Sequence, residues 1–111
     1  MTVDPGMRCG YAIGRGAELL AYGTIYAKDY DQITEEMKEL VETYKPQRLI
    51  LEDWRGYEPD IKAKHKTPIV IGIVLAVYKC IANGPYELVL YNSWSARFKR
   101  AYFTVFHLLP E

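Results

Sequence analysis

The opening of the chain carries the pattern that most constrains the fold. A short apolar run ends in Asp4, and Pro5-Gly6 follows at once. This pair forces a tight turn, because proline fixes its own φ and glycine adopts conformations that other residues avoid. Residues 9–13 then alternate large and small side chains, which predicts a second strand. The chain therefore begins with two strands and a carboxylate held beside the turn that joins them.

The remaining elements follow from periodicity and from breaker residues. The expected strands cover residues 1–4, 9–14, 19–27, 48–52 and 87–91. Residues 33–44 repeat apolar side chains at helical spacing, with Asp31 as the expected cap and Pro46 beyond the end. Thr67-Pro68 predicts the start of a second helix, apolar nearly all round and therefore deeply buried, which ends near Ala82. A third helix is expected to begin at residue 92 or 93.

This order of elements predicts an α/β fold. An antiparallel meander of three strands followed by two parallel strands gives a mixed five-stranded sheet, with helices on both faces. The 111 residues fit a single domain, 1–111, and half of them are hydrophobic, which is enough for a sizeable core. Cys9 and Cys80 lack metal-binding spacing, so we expect two reduced packing residues.

Charge and targeting signals limit the function classes. The net charge is zero, which argues weakly against an obligate nucleic-acid binder. However, residues 1–60 hold seven basic and twelve acidic residues, whereas residues 61–111 hold seven basic and two acidic ones. Phosphate, if it binds, should therefore meet the second half. No signal peptide and no membrane-spanning stretch is predicted, which favours a cytoplasmic protein without a membrane partner.

Two carboxylates end predicted strands and are the first candidates for chemistry. Glu52 ends the apolar run of residues 49–51, and Asp4 ends the first strand. If these strands are neighbours, the two carboxylates converge, and a divalent cation between them would relieve their repulsion. From spacing alone the alternative stays open: Asp-Pro-Gly is a common turn, and Glu52 with Asp53 can simply pair with Arg48 or Arg55.

Two short motifs resemble those of a known family. Val-Asp-Pro-Gly at residues 3–6, followed by Gly-Tyr-Ala-Ile at 10–13, resembles the first motif of RuvC-like Holliday-junction resolvases, which belong to the ribonuclease H-like superfamily. Leu-Ile-Leu-Glu-Asp-Trp at residues 49–54 resembles their second motif, in the Glu-Asp-aromatic form of small phage-type members. The order of elements is also similar over residues 1 to about 100.

The resemblance implies an activity and a set of site residues. Asp4 and Glu52 would be catalytic ligands of Mg²⁺ or Mn²⁺ in the two-metal hydrolysis of branched DNA. The active form would be a homodimer in the cytoplasm, or in the cytoplasm of the host cell if a phage encodes the protein. The family places further acidic residues on the last helix, whereas residues 94–109 contain no carboxylate. His107 and Glu111 are the remaining catalytic candidates, so either the sequence lacks the C-terminal catalytic motif or the site is degenerate.

Basic residues of the second half, and aromatic residues near them in the sequence, are candidates for DNA contacts. Positive side chains suit phosphates, and aromatic ones such as Trp54 and Tyr57 can stack on bases. The candidates are Lys62, Lys64, Lys66, Trp94, Arg97, Lys99 and Arg100. A solvated surface and core aromatics are the alternative, and the other tyrosines are interpreted as strand and core residues. The rival function is a catalytically degenerate nucleic-acid-binding or assembly module; an actin-like nucleotide-binding protein would need a second domain.

Overall fold

The computed structural model describes residues 1–53 and 61–90, which form a mixed sheet and two helices. The elements are β1 (Thr2–Asp4), β2 (Arg8–Arg15), β3 (Glu18–Tyr26), α1 (Tyr30–Tyr44), β4 (Leu49–Asp53), α2 (Ile61–Ile81) and β5 (Tyr86–Leu90). The sheet order is β3-β2-β1-β4-β5, antiparallel through β1 and parallel from β1 to β5. The predicted fold class is confirmed, and each strand lies within one residue of its predicted bounds.

Helix α1 is capped at both ends by residues just outside it. The Asp29 side chain accepts a hydrogen bond of 2.8 Å from the Gln32 N–H, so the prediction that Asp31 is the cap was wrong. Asp31 lies in the first turn, where its charge favours the positive end of the helix dipole. At the other end, Lys45 adopts the left-handed conformation with φ 47°, and its N–H bonds to the Val41 carbonyl.

Helix α2 begins at Ile61, six residues before the predicted start at Thr67. Pro68 therefore lies inside the helix, where it cannot donate the hydrogen bond to the carbonyl four residues earlier. The pair Thr67-Pro68 has the chemistry of a helix start, but the preceding residues continue the helix despite the lost bond. The basic residues Lys62, Lys64 and Lys66 consequently belong to a helix rather than to the predicted loop.

The core lies between one face of the sheet and both described helices. Alternate strand residues face the helices, and α2 contributes a single stripe to the same core. The sheet side chains are Val3, Cys9, Ile25, Leu49 and Leu51; the helical ones are Ile33, Met37, Val41, Val70, Val74, Val77 and Tyr78. The third helix, predicted to begin at residue 92 or 93, lies outside the residues described.

The apolar surface of α2 is only partly buried. Val70 and Val74 are fully covered, whereas Ile69 is 46% exposed, and none of the described residues lies within 4 Å of a Cβ built on Gly72. The prediction of a deeply buried helix was therefore wrong for this face. Cys80 is exposed and is not the predicted packing residue, whereas Cys9 is buried as expected. In the part of the chain that the structure describes, neither helix is long and apolar enough to cross a membrane.

Candidate functional site

The strand register brings Asp4 and Glu52 to neighbouring positions. Strands β1 and β4 run parallel, with Thr2 opposite Ile50 and Val3 opposite Leu51. Asp4 and Glu52 are the next residues of the two strands, so their backbones are about 4.8 Å apart, the usual distance between paired strands. Because the preceding Val3 and Leu51 face the helices, the alternation of a strand turns both carboxylates to the opposite face.

The two carboxylates differ in exposure. Asp4 is exposed, and Glu52 is half-buried, less than expected for the end of a buried strand. The negative charge of Asp4 also affects the pKa of Cys9, on the helix side of the sheet. Burial raises the pKa of the Cys9 thiol to about 12, with the Asp4 charge acting in the same direction and a hydrogen bond from the Gly6 backbone opposing both. The thiol is therefore protonated at neutral pH.

A gap in the side-chain layer lies next to Asp4. Gly10 of β2 pairs with Asp4, and the nearest atom to a Cβ built on Gly10 would be the Asp4 Cβ at 3.7 Å. The absence of a side chain there leaves the approach to the carboxylate open from the β2 side. One row across the sheet thus contains Thr24, Gly10, Asp4, Glu52 and Val89.

Two carboxylates on adjacent rigid strands suit a hard cation. Mg²⁺ takes oxygen ligands and retains several waters, so one or two carboxylates are enough to hold it. Within residues 1–53 and 61–90 no group of three or more histidine, cysteine or acidic side chains could hold a metal ion. The donor set that the described residues offer is therefore the pair Asp4 and Glu52, which fits Mg²⁺ or Mn²⁺.

The other predicted site residues fall into two groups. The first group, Lys62, Lys64 and Lys66, lies in the first turns of α2, and Lys66 there is exposed. The second group lies outside the described residues: Trp54, Tyr57, Trp94, Arg97, Lys99, Arg100, His107 and Glu111. The predicted alternative partner Arg48 forms an ion pair of 3.2 Å with Glu87.

Sequence reasoning missed one feature of the face that carries Asp4. Tyr22 and Tyr26 are strand residues, as predicted, but they are 57% and 68% exposed and so do not belong to the core. The Arg8 guanidinium lies 6.0 Å from the centroid of the Tyr26 ring. The alternation of residues 20–26 already placed the tyrosines on one face, but it could not tell which face the helices cover.

Comparison with solved structures identifies the fold. The structure of Thermus thermophilus RuvC in complex with a Holliday junction substrate matches 81% of this chain with a TM-score of 0.68 and 15% identity. The chain has the ribonuclease H-like fold of RuvC. A second T. thermophilus RuvC structure matches 79% of the chain, with a TM-score of 0.58 and 18% identity.

The match to RuvC covers only part of that protein. The chain spans 62% and 61% of the length of the two RuvC chains, or about three fifths. No protein-family model and no curated protein sequence matches this chain. At 15–18% identity the likeness concerns the fold, so the chemistry has to be argued from the residues themselves.

Proposed function

We propose that this protein is a divalent-metal-dependent endonuclease that acts on branched DNA. The observation that carries the proposal is the position of Asp4 and Glu52. They lie side by side at the ends of adjacent parallel strands, on the sheet face opposite the described helices. The RuvC-like fold supports it, since T. thermophilus RuvC has been solved with a Holliday junction substrate. These two residues also match the two motifs that resemble the resolvase family.

The chain itself would contribute two carboxylates, held in place by the paired strands, to a metal site. Asp4 and Glu52 would hold Mg²⁺ or Mn²⁺, which when bound lowers the pKa of water and stabilises the leaving oxygen of a phosphodiester. The paired strands fix the carboxylate positions before the substrate arrives, so little reorganisation is needed on binding. The open space at Gly10 admits a DNA backbone to the carboxylates. His107 and Glu111 remain candidates for further ligands.

Cleavage of a labelled four-way DNA junction tests the proposal. We expect Mg²⁺-dependent cleavage by the wild type and a loss of more than about 100-fold in Asp4→Asn, since even indirect ligand partners contribute 10- to 100-fold to metal sites. Asp53→Asn is the matched control, because alternation along β4 turns Asp53 to the other face. Linear duplex and a flap serve as substrate controls. Wild-type rates in Asp4→Asn would refute the proposal.

A catalytically degenerate nucleic-acid-binding module is the second candidate function. It is favoured by the metal-ligand set, which in the described part of the chain amounts to two carboxylates. Such a module would bind a four-way junction with the same affinity in Mg²⁺ and in EDTA, and it would cleave no substrate. A junction that is bound and cut only when Mg²⁺ is present would exclude it.

We also propose that the chain forms a homodimer through the open side of α2. Ile69, Gly72, Ile73 and Ala76 recur at helical spacing on this side, and Ile69 and Ala76 are exposed. A second copy could bury this stripe, and Gly72 and Ala76 would permit a close approach of two helices. Sedimentation should show a dimer for the wild type and a monomer for Ile69→Glu. A wild-type monomer at micromolar concentration would contradict the proposal.

A further inference from the structure

Two tyrosines of β3 are exposed on the face that carries the candidate carboxylates. Tyr22 and Tyr26 are 57% and 68% exposed, and Thr24 lies between them on the same side of the strand. Aromatic side chains are ordinarily favoured in strands because they pack against neighbours. Two exposed rings on one face therefore form a surface that a partner can bury. We call Arg8, Tyr22, Thr24 and Tyr26 the β2–β3 face.

The register relates this face to Asp4. Thr24 lies opposite Gly10, which lies opposite Asp4, so β3 is about 10 Å from β1 at two strand spacings. The two tyrosines are four residues apart, about 13 Å along the strand, and they flank this row on either side. Between Tyr22 and β1 lies the small Ala12. On this side of the sheet, small residues of β2 therefore lie between Tyr22 and β1 and between Thr24 and Asp4.

The charge of the face indicates the class of partner. Arg8 lies opposite Tyr26 in the β2–β3 ladder, and its guanidinium is 6.0 Å from the centroid of that ring. A planar cation beside an aromatic ring combines a phosphate-binding group with a stacking surface. Unpaired nucleotides offer the matching chemistry, since each carries a base that stacks and a phosphate that needs a cation.

We propose that the β2–β3 face binds unpaired nucleotides of a DNA strand and leads that strand to Asp4 and Glu52. The bases stack on Tyr22 and Tyr26, and Arg8 contacts the phosphate beside Tyr26. The part of this inference that leads the DNA strand to Asp4 and Glu52 rests on the proposed nuclease function. The binding itself depends only on the β2–β3 face and needs no metal.

Binding of a fluorescent oligothymidylate in EDTA tests the face separately from cleavage. We expect Tyr22→Leu and Tyr26→Leu each to weaken binding by about 5- to 100-fold, the range found for single base-stacking aromatics. Tyr26→Phe keeps the ring and should bind like the wild type. Arg8→Gln should weaken binding and also flatten its dependence on salt, because one phosphate contact is lost.

The chain offers a matched control on the other side of the sheet. Tyr86 is 48% exposed and lies 5.8 Å from the Lys79 ammonium, so it is also an exposed ring with a cation nearby. It pairs with the buried Leu49, which places it on the helix-covered face. Tyr86→Leu should therefore leave oligothymidylate binding unchanged. An equal loss of binding in Tyr86→Leu would overturn the assignment to the β2–β3 face.

Other outcomes distinguish the rival occupants of this face. If residues 91–111 of the chain itself cover it, Tyr22→Leu would lower the melting temperature; if a second copy does, Tyr22→Leu would shift the sedimentation to a monomer. Either result without a loss of oligothymidylate binding would overturn the proposal. Binding that needs the tyrosines, in a protein that cleaves no junction, would support the face and refute the nuclease function.

Discussion

Gly84 is the most closely packed of the glycines that the structure describes. A Cβ built there would lie 2.7 Å from the Gln47 carbonyl oxygen and in contact with the Tyr78 hydroxyl. Real Cβ atoms essentially never approach other atoms within 3.0 Å, and a backbone carbonyl cannot yield cheaply. Gly84→Ala must therefore displace the segment before β5, where the Tyr78 hydroxyl donates to the Pro85 carbonyl at 3.3 Å.

The expected cost is large for so small a substitution. Overpacking costs about 1–3 kcal/mol, and loss of the Tyr78 hydrogen bond adds about 1 kcal/mol. We expect a loss of about 2–4 kcal/mol for Gly84→Ala, which lowers the melting temperature by roughly 10–15 °C for a domain of this size. Thermal unfolding followed by circular dichroism measures it directly.

Gly72→Ala provides the matched control, because the substitution is the same and the surroundings are open. With no described residue within 4 Å of its Cβ, alanine at this helical position should stabilise α2 of the monomer by about 0.5–1 kcal/mol. The two substitutions thus have opposite expected signs. A wild-type melting temperature for Gly84→Ala would refute the close approach between the end of α2 and the segment before β4.

Two further predictions concern the cysteines and the end of α1. Ellman's reagent at pH 8 should modify the exposed Cys80 quickly and Cys9 only after unfolding, since Cys9 is buried and its pKa is raised to about 12. The protonated Cys9 thiol contributes to the free energy of unfolding below pH 9. This contribution is lost as the pH rises toward 12, because the unfolded chain releases the proton first. Modification of both thiols at equal rates would contradict this. Lys45→Gly should stabilise the fold by roughly 0.5–1 kcal/mol in urea unfolding, because its φ of 47° favours glycine, whereas Glu42→Gly inside the helix should destabilise it.

The sheet could be predicted from the sequence because turn-forming residues mark the ends of its strands. Pro5-Gly6 and the pair Asn83-Gly84 mark turns, and the apolar run before Glu52 has the length of a strand. The meeting of Asp4 and Glu52 followed once β1 and β4 were taken as parallel neighbours. The spacing alone left this pairing as a condition, and the parallel register of β1 and β4 fulfils it.

The errors arose where local chemistry fits two structures equally well. Thr67-Pro68 suits a helix start, yet only the tertiary structure shows that the helix continues upstream to Ile61. Positions 29 and 31 both carry aspartate, a residue type that often caps helices, and the extended backbone conformation at Asp29 makes that residue the cap. The exposure of Tyr22 and Tyr26 depends on which face the helices cover, and the alternation within one strand does not contain that information.

The central claim is that Asp4 and Glu52 act as one unit, and a double-mutant comparison of junction cleavage tests it most directly. Single-turnover rates in Mg²⁺ would be measured for Asp4→Asn, Glu52→Gln and the double variant, with Asp53→Asn as the control. Residues that act together show non-additive losses. We therefore expect each single variant to lose about as much activity as the double variant, and Asp53→Asn to cleave like the wild type. Near-wild-type cleavage by either single variant, or losses that multiply in the double variant, would contradict the claim.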